Sequence, residues 1–149
     1  MRIYDKASNL YKKESSENIL NLTLDLIRSR AFELDNNIYN YSLDELLNRY
    51  IGIEKIVEAV YFDSYLKEEK ILYSLNHVYI MIIEKYIEKE NFADAVIYAN
   101  KLVHNSVMYD SMVSEKVLCS YNRKLLNTNK VFEKLKCIEE FNEIIKLLN

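Results

Sequence analysis

The chain has 149 residues, half of them apolar and 29% charged, with a net charge of −3. That is one domain's length, enough to bury a core, and the composition is not that of a disordered chain. The acidic balance excludes the overall basic surplus of a typical nucleic-acid binder, and the absence of proline with a single glycine, Gly52, excludes Gly-rich phosphate loops and most hairpin turns.

Long helices joined by Asn, Asp and Ser turns are what such a composition allows. The spacing of apolar residues predicts a first helix over Ile3 to Lys12 and a second over Ser16 to Leu34. Ser15 or Ser16 is the expected cap of the second, and Ile19, Leu20, Leu24, Ile27, Ala31 and Leu34 share one of its faces. Asp35-Asn36-Asn37 ends it. Ser42 and Glu45 form a capping box that opens a short helix to Tyr50, Gly52 is expected to break it, and another helix is predicted over Ile53 to Tyr65.

Lys67 to Lys89 reads as one long helix with Ile71, Leu75, Val78, Ile82 and Tyr86 on one face, widened by Leu72, Tyr79 and Ile83. After the break at Glu90-Asn91, with Asn91 as N-cap, come Phe92, Ala95, Val96, Ala99, Leu102 and Val103. A break is predicted near Asn105-Ser106, then a helix over Asp110 to Leu126. A turn at Asn127-Thr128-Asn129 precedes a last helix that presents Val131, Leu135, Ile138, Phe141, Ile145 and Leu148 inward.

The expected fold is therefore all-α, a single domain over 1–149. Its clearest part, 67–149, reads as two antiparallel helix pairs. An offset of 36 lays Asn91, Ala95, Val96, Ala99 and Leu102 on Asn127, Val131, Phe132, Leu135 and Ile138. This is near the roughly 34-residue period of tetratricopeptide repeats, so the expected architecture is a tetratricopeptide-like repeat domain.

Chemistry is hard to find. His77 and His104 have no second His or Cys at metal-ligand spacing, so no metal and no cofactor is expected. Cys119 beside a histidine would make a nucleophile and base, but a reduced cysteine packed between helices is the plainer reading. Carboxylates fall among lysines, as in Glu88-Lys89-Glu90, which marks a solvated helix face. The expectation is that the chain is not an enzyme. The 13 tyrosines have two readings: a common filler in AT-rich genomes, or rings lining a groove for a peptide. Basic residues gather weakly at Arg28 and Arg30 and at Arg123, Lys124, Lys130 and Lys134, which is either ordinary surface or a dock for carboxylates. Met1 to Ser15 is not a basic-then-apolar leader, no apolar run nears the roughly 20 residues of a membrane span, and two cysteines are too few for a disulfide framework. A cytoplasmic location with no membrane association is expected.

Ile27-Arg28-Ser29-Arg30-Ala31-Phe32-Glu33-Leu34-Asp35, then Ser42 to Leu47, then Tyr50-Ile51-Gly52-Ile53-Glu54-Lys55 resembles the middle of Rgg/GadR/MutR-type bacterial transcriptional regulators. Ser74 to Lys85 followed by Asn91-Phe92-Ala93-Asp94-Ala95 resembles their next repeat, and Glu115 to Leu118 through Phe141 to Ile144 their closing helices. The resemblance implies a tetratricopeptide-like regulatory domain that dimerises and receives a short signalling peptide on its concave face. Inner-helix asparagines hold the peptide backbone there, and Asn76 and Asn122 are the matching positions. The family's N-terminal helix-turn-helix and its Trp near Ile56 have no counterpart, and the segment around Leu66 is shortened, so no direct nucleic-acid binding by this chain alone is expected. The candidate peptide- or partner-binding residues are Asn76, Tyr73 and Ile80 on one helix and Tyr121 and Asn122 on another, with the alternative that the two asparagines are helix-surface residues or bond between helices. A second resemblance, through Arg49 to Ile56, is to poxviral Bcl-2-like proteins. It implies a groove for a partner protein's helix and a role in blocking host innate or apoptotic signalling.

Overall fold

The computed structural model describes the backbone of residues 3–60 and 68–149, and the side chains of 17–59 and 68–149. The chain is all-helical there: α1 (Ile3–Asn36), α2 (Leu43–Val60), α3 (Glu69–Glu88), α4 (Phe92–Val113), α5 (Leu118–Thr128) and α6 (Glu139–Ile145), with short 3-10 turns at Ile38–Asn40, Lys130–Leu135 and Lys146–Leu148.

Several expected boundaries hold for the reasons given. The backbone N–H of Glu45 donates to Ser42 Oγ at 3.3 Å, which caps α2, and that of Asp94 donates to Asn91 Oδ1 at 3.3 Å, which caps α4. The turn between α3 and α4 puts Glu90 in the left-handed region, at φ 58°.

Other boundaries differ. α1 is one continuous helix through Ser15 and Ser16, because serine lowers helix propensity by only about half a kcal/mol and nothing there demands a turn. α2 likewise runs through Gly52, whose cost of about 1 kcal/mol relative to alanine is outweighed by buried neighbours Tyr50, Ile53 and Val57 on one face. The end of the predicted helix Ile53 to Tyr65 lies outside the described residues. α4 does not break at Asn105-Ser106: the Asn105 side chain donates to the Leu72 carbonyl of α3 (2.8 Å) and Ser106 Oγ to the Leu102 carbonyl of its own helix (2.7 Å), so both polar groups are satisfied without a turn. The break falls instead at Ser114, at φ 57°. The 36-residue offset does not carry helix onto helix, since Lys130–Leu135 is a 3-10 turn in which Phe132 and Leu135 are fully buried while Val131 is exposed.

Pairwise contacts fix the layout. The start of α3 meets the end of α4 through Leu72 and Asn105, and Tyr86 meets Tyr98 beside the connecting turn, so the two form an antiparallel hairpin. Asp110 to Leu118 and Ser106 to Asn122 make α4 and α5 antiparallel as well. Arg28 to Glu68 and Asp35 to His77 show α1 and α3 side by side in the same direction. Tyr50 to Tyr98 and Glu54 to Lys101 show the same of α2 and α4. The bundle thus has one row of α1, α3 and α5 and a second row of α2 and α4, with α6 packed on α4.

The core lies between the rows. Ile27, Ala31 and Leu34 of α1, Leu46, Ile53 and Val57 of α2, Ala95, Ala99 and Leu102 of α4, and Phe132, Phe141 and Leu148 near the C-terminus are buried in one cluster. α3 is buried around most of its circumference, Asn76 and Ile80 included. Among the described residues no helix is long and apolar enough to cross a membrane.

Candidate functional site

The outer face of the α1, α3 and α5 row is where exposed aromatic residues gather. Phe32 is 63% exposed, Tyr39 76%, Tyr73 58% and Tyr121 56%. Each is held by a helix or turn whose opposite side is anchored in the core: Ile38 beside Tyr39, Leu72 beside Tyr73 and Asn122 beside Tyr121 are all buried. Rings fixed on a rigid scaffold offer large contact area at small entropy cost.

Two clefts adjoin at Tyr73. One, of about 500 Å³, is lined by Asp35, Tyr39, Tyr73, Asn76, His77, Ile80, Val117, Leu118 and Tyr121. The other, of about 580 Å³, is lined by residues that include Arg28, Phe32, Lys70, Tyr73 and Tyr109. Of the five residues singled out from the sequence, the first cleft brings together Tyr73, Asn76, Ile80 and Tyr121. Asn122 is not among its walls and is fully buried.

The two asparagines bond to each other. Asn122 Nδ2 donates to Asn76 Oδ1 (2.8 Å) and to Ser106 Oγ (2.7 Å), while Asn76 Nδ2 reaches Asn122 Oδ1 at 3.5 Å. Ser106 passes the chain on to the Leu102 carbonyl. This amide pair links α3 to α5 and, through Ser106, to α4, and each of its four amide N and O atoms has a partner inside the bundle. Among the described residues no buried side-chain N or O lacks a partner.

A second polar cluster opens into the same cleft. His77 Nδ1 lies 2.9 Å from Asp35 Oδ1 and its Nε2 lies 3.3 Å from the Tyr39 hydroxyl. A carboxylate only accepts, so the imidazole proton sits on Nδ1, and the Nε2 of a neutral ring accepts from Tyr39. The rings of Tyr39 and His77 also meet edge to face at 5.6 Å.

Asp110 governs the electrostatics at the α5 end of the cleft. Its Oδ1 accepts from the backbone N–H groups of Val117 (3.1 Å) and Leu118 (2.8 Å), and its Oδ2 accepts from that of Cys119 (3.0 Å). The carboxylate therefore satisfies the exposed N–H groups and the positive dipole end of α5. It also shapes Cys119. Burial, then a hydrogen bond and repulsion from Asp110, push that thiol up to about 12, the opposite of what a nucleophile needs.

At the edge of the second cleft Arg28 grips Glu68 with two 3.0 Å bonds, Nε to Oε1 and Nη2 to Oε2. The hydrogen bond from Arg28 holds the Glu68 carboxyl below the usual carboxylate range, against the opposing effect of burial. On the second row, Lys101 sits between the rings of Tyr50 and Tyr98, 5.7 Å from each centroid, and bonds Glu54 at 3.1 Å. Tyr50 and Tyr79 hydroxyls are 3.1 Å apart. Burial raises Tyr50 well above the ordinary phenol range and takes Tyr98 up to about 12. Among the described residues no group of three or more His, Cys, Asp and Glu side chains is placed to hold a metal.

Sequence reasoning missed Asp35, Tyr39 and the partners of His77. The available signal was the helix-pair expectation itself, because laying a first helix parallel to the next first helix brings the end of α1 beside the middle of α3. No protein-family model matches the chain, and no curated protein or solved structure is significantly similar to it.

Proposed function

We propose that the chain is a non-catalytic helical binding domain that receives a short peptide along the outer face of α1, α3 and α5. The observation that carries this reading is the set of four exposed rings, Phe32, Tyr39, Tyr73 and Tyr121, around two adjoining clefts on that one face. Large aromatic side chains at a pocketed surface are the residues on which binding energy concentrates. The two rows of helices, with α1, α3 and α5 aligned, support a tetratricopeptide-like reading in which the first helix of each pair forms the receiving face. They favour it over the Bcl-2-like alternative, whose groove would take a partner's helix.

By the resemblance given above, the domain would act in the cytoplasm as the sensing part of a transcriptional regulator and would work as a homodimer. Ile19, Leu22 and Leu26, exposed along one side of α1, offer apolar surface for a second copy.

The test is a selection of random heptapeptides displayed on phage against the immobilised chain, with the selected sequences then titrated by calorimetry. Selected peptides should bind the parent chain and lose roughly tenfold or more in affinity on the double change Tyr73→Ala, Tyr121→Ala, with an unchanged melting profile. Failure to select any peptide, or binding indifferent to both tyrosines, would sink the reading.

A further inference from the structure

We infer that the cleft between the end of α1 and the start of α5 is a receptor for a cationic side chain, so that the peptide it takes carries a lysine or arginine. This rests on the peptide-binding reading above and names the chemistry of its ligand.

Four observations converge. First, among the described residues that line the cleft, the Asp35 carboxylate is the one acidic group. No lysine or arginine is among them. Asp35 Oδ1 is engaged by His77, and Oδ2 has no partner among the described residues. Second, Asp35 sits in the last turn of α1, where the backbone carbonyls concentrate the negative end of the helix dipole, and that turn contains no basic residue. Third, the feature that would attract an anion to the same place is already neutralised. The N-terminus of α5, at Val117 and Leu118, has its N–H groups taken by Asp110. Fourth, Tyr39, Tyr73 and Tyr121 bring three exposed rings to the cleft, and the face of a tyrosine ring attracts a cation.

The chain holds one of its own cations by the same recipe. Lys101 is placed by one carboxylate, Glu54, and two tyrosine rings, Tyr50 and Tyr98. The Asp35 cleft offers one carboxylate and three rings, and it faces outward. A lysine ammonium or arginine guanidinium entering there would exchange water for a charge-assisted bond to Asp35 and for ring faces. Its aliphatic stem would lie along Ile80 and Val117.

The experiment compares heptapeptides selected on the parent chain with those selected on Asp35→Asn. Lysine or arginine should be enriched at one position in the first set and not in the second. Replacing that lysine by norleucine in a selected peptide should weaken binding to the parent chain about tenfold and change binding to Asp35→Asn little. Because Asp35→Asn also removes the acceptor of His77, its melting profile is checked first. Tyr121→Ala, a change at the surface, supplies the second arm: it should cost the lysine peptide more affinity than the norleucine peptide. Selected peptides without a cationic position, or a cationic position kept by Asp35→Asn with equal losses for both peptides on Tyr121→Ala, overturn this inference and leave the binding face standing. If neither chain selects any peptide, the inference falls together with the reading on which it rests.

Discussion

Two polar clusters meet α3 at adjacent residues, Asn76 and His77, and they are built for different ends. Asn76, Asn122 and Ser106 are buried, bond to one another across three helices, and hand their last proton to a backbone carbonyl. Asp35, His77 and Tyr39 are linked as continuously, but the cluster ends in a tyrosine that is mostly in solvent and a carboxylate whose second oxygen has no partner among the described residues. A closed network sets which helix faces meet, because any slip strands a donor where water cannot replace the partner. An open one keeps bonding capacity at the surface, where a ligand can use it. Asn76 and His77, neighbours in sequence, belong to opposite kinds, and only the roughly 100° of helix rotation per residue separates them.

That contrast can be broken by mutation, and the largest effect belongs to the closed cluster. Asn122→Ala leaves the Asn76 amide and the Ser106 hydroxyl without their shared partner in a site that is fully buried. The fold should lose roughly 3 kcal/mol, from unsatisfied groups and the space left by the amide, read as a lower urea midpoint at unchanged slope. A loss near zero would mean that the amide pair does not hold α3 against α5. Ser106→Ala is the milder test. It removes a hydroxyl that accepts from Asn122 and donates to Leu102, but Asn122 keeps Asn76 and the Leu102 carbonyl keeps its helical bond. About 1 kcal/mol is expected in the same measurement. A cost equal to that of Asn122→Ala would place the serine, and not the amide pair, at the centre of the network.

Much of this was legible from spacing alone. The buried faces of α3 and α4, the caps at Ser42 and Asn91, and the all-helical class follow from periodicity and side-chain chemistry acting within a few residues. Polar residues that serve tertiary structure were not legible. Asn105 and Ser106 have the chemistry of a turn, and only the nearness of Leu72, on another helix, makes a helix interior the better place for them. Gly52 has the chemistry of a break, yet α2 gains more from burying residues on both sides of it. Asn76 and Asn122 stood out as polar positions off the apolar stripe. Sequence distance hid that each is the other's partner, and it likewise hid Asp35 from His77.

The smallest expected effect is the one that most sharpens the contrast. Tyr39→Phe removes a hydroxyl that bonds His77 Nε2, as Ser106→Ala removes one inside the bundle. If the Asp35, His77 and Tyr39 cluster helped hold α1 to α3, the two changes would cost about the same. But the Tyr39 ring is mostly exposed, so water replaces the lost hydroxyl at His77 Nε2, and the phenyl ring can keep its edge-to-face contact with the imidazole. The urea midpoint should therefore move by no more than about 0.5 kcal/mol of stability, the range of ordinary surface changes. A larger loss would mean that the outer cluster is structural too, and the distinction between the two networks would fail. A small one leaves α1 and α3 joined by the buried core and the Arg28 to Glu68 fork, and leaves the polar groups at the cleft available for contact with a ligand.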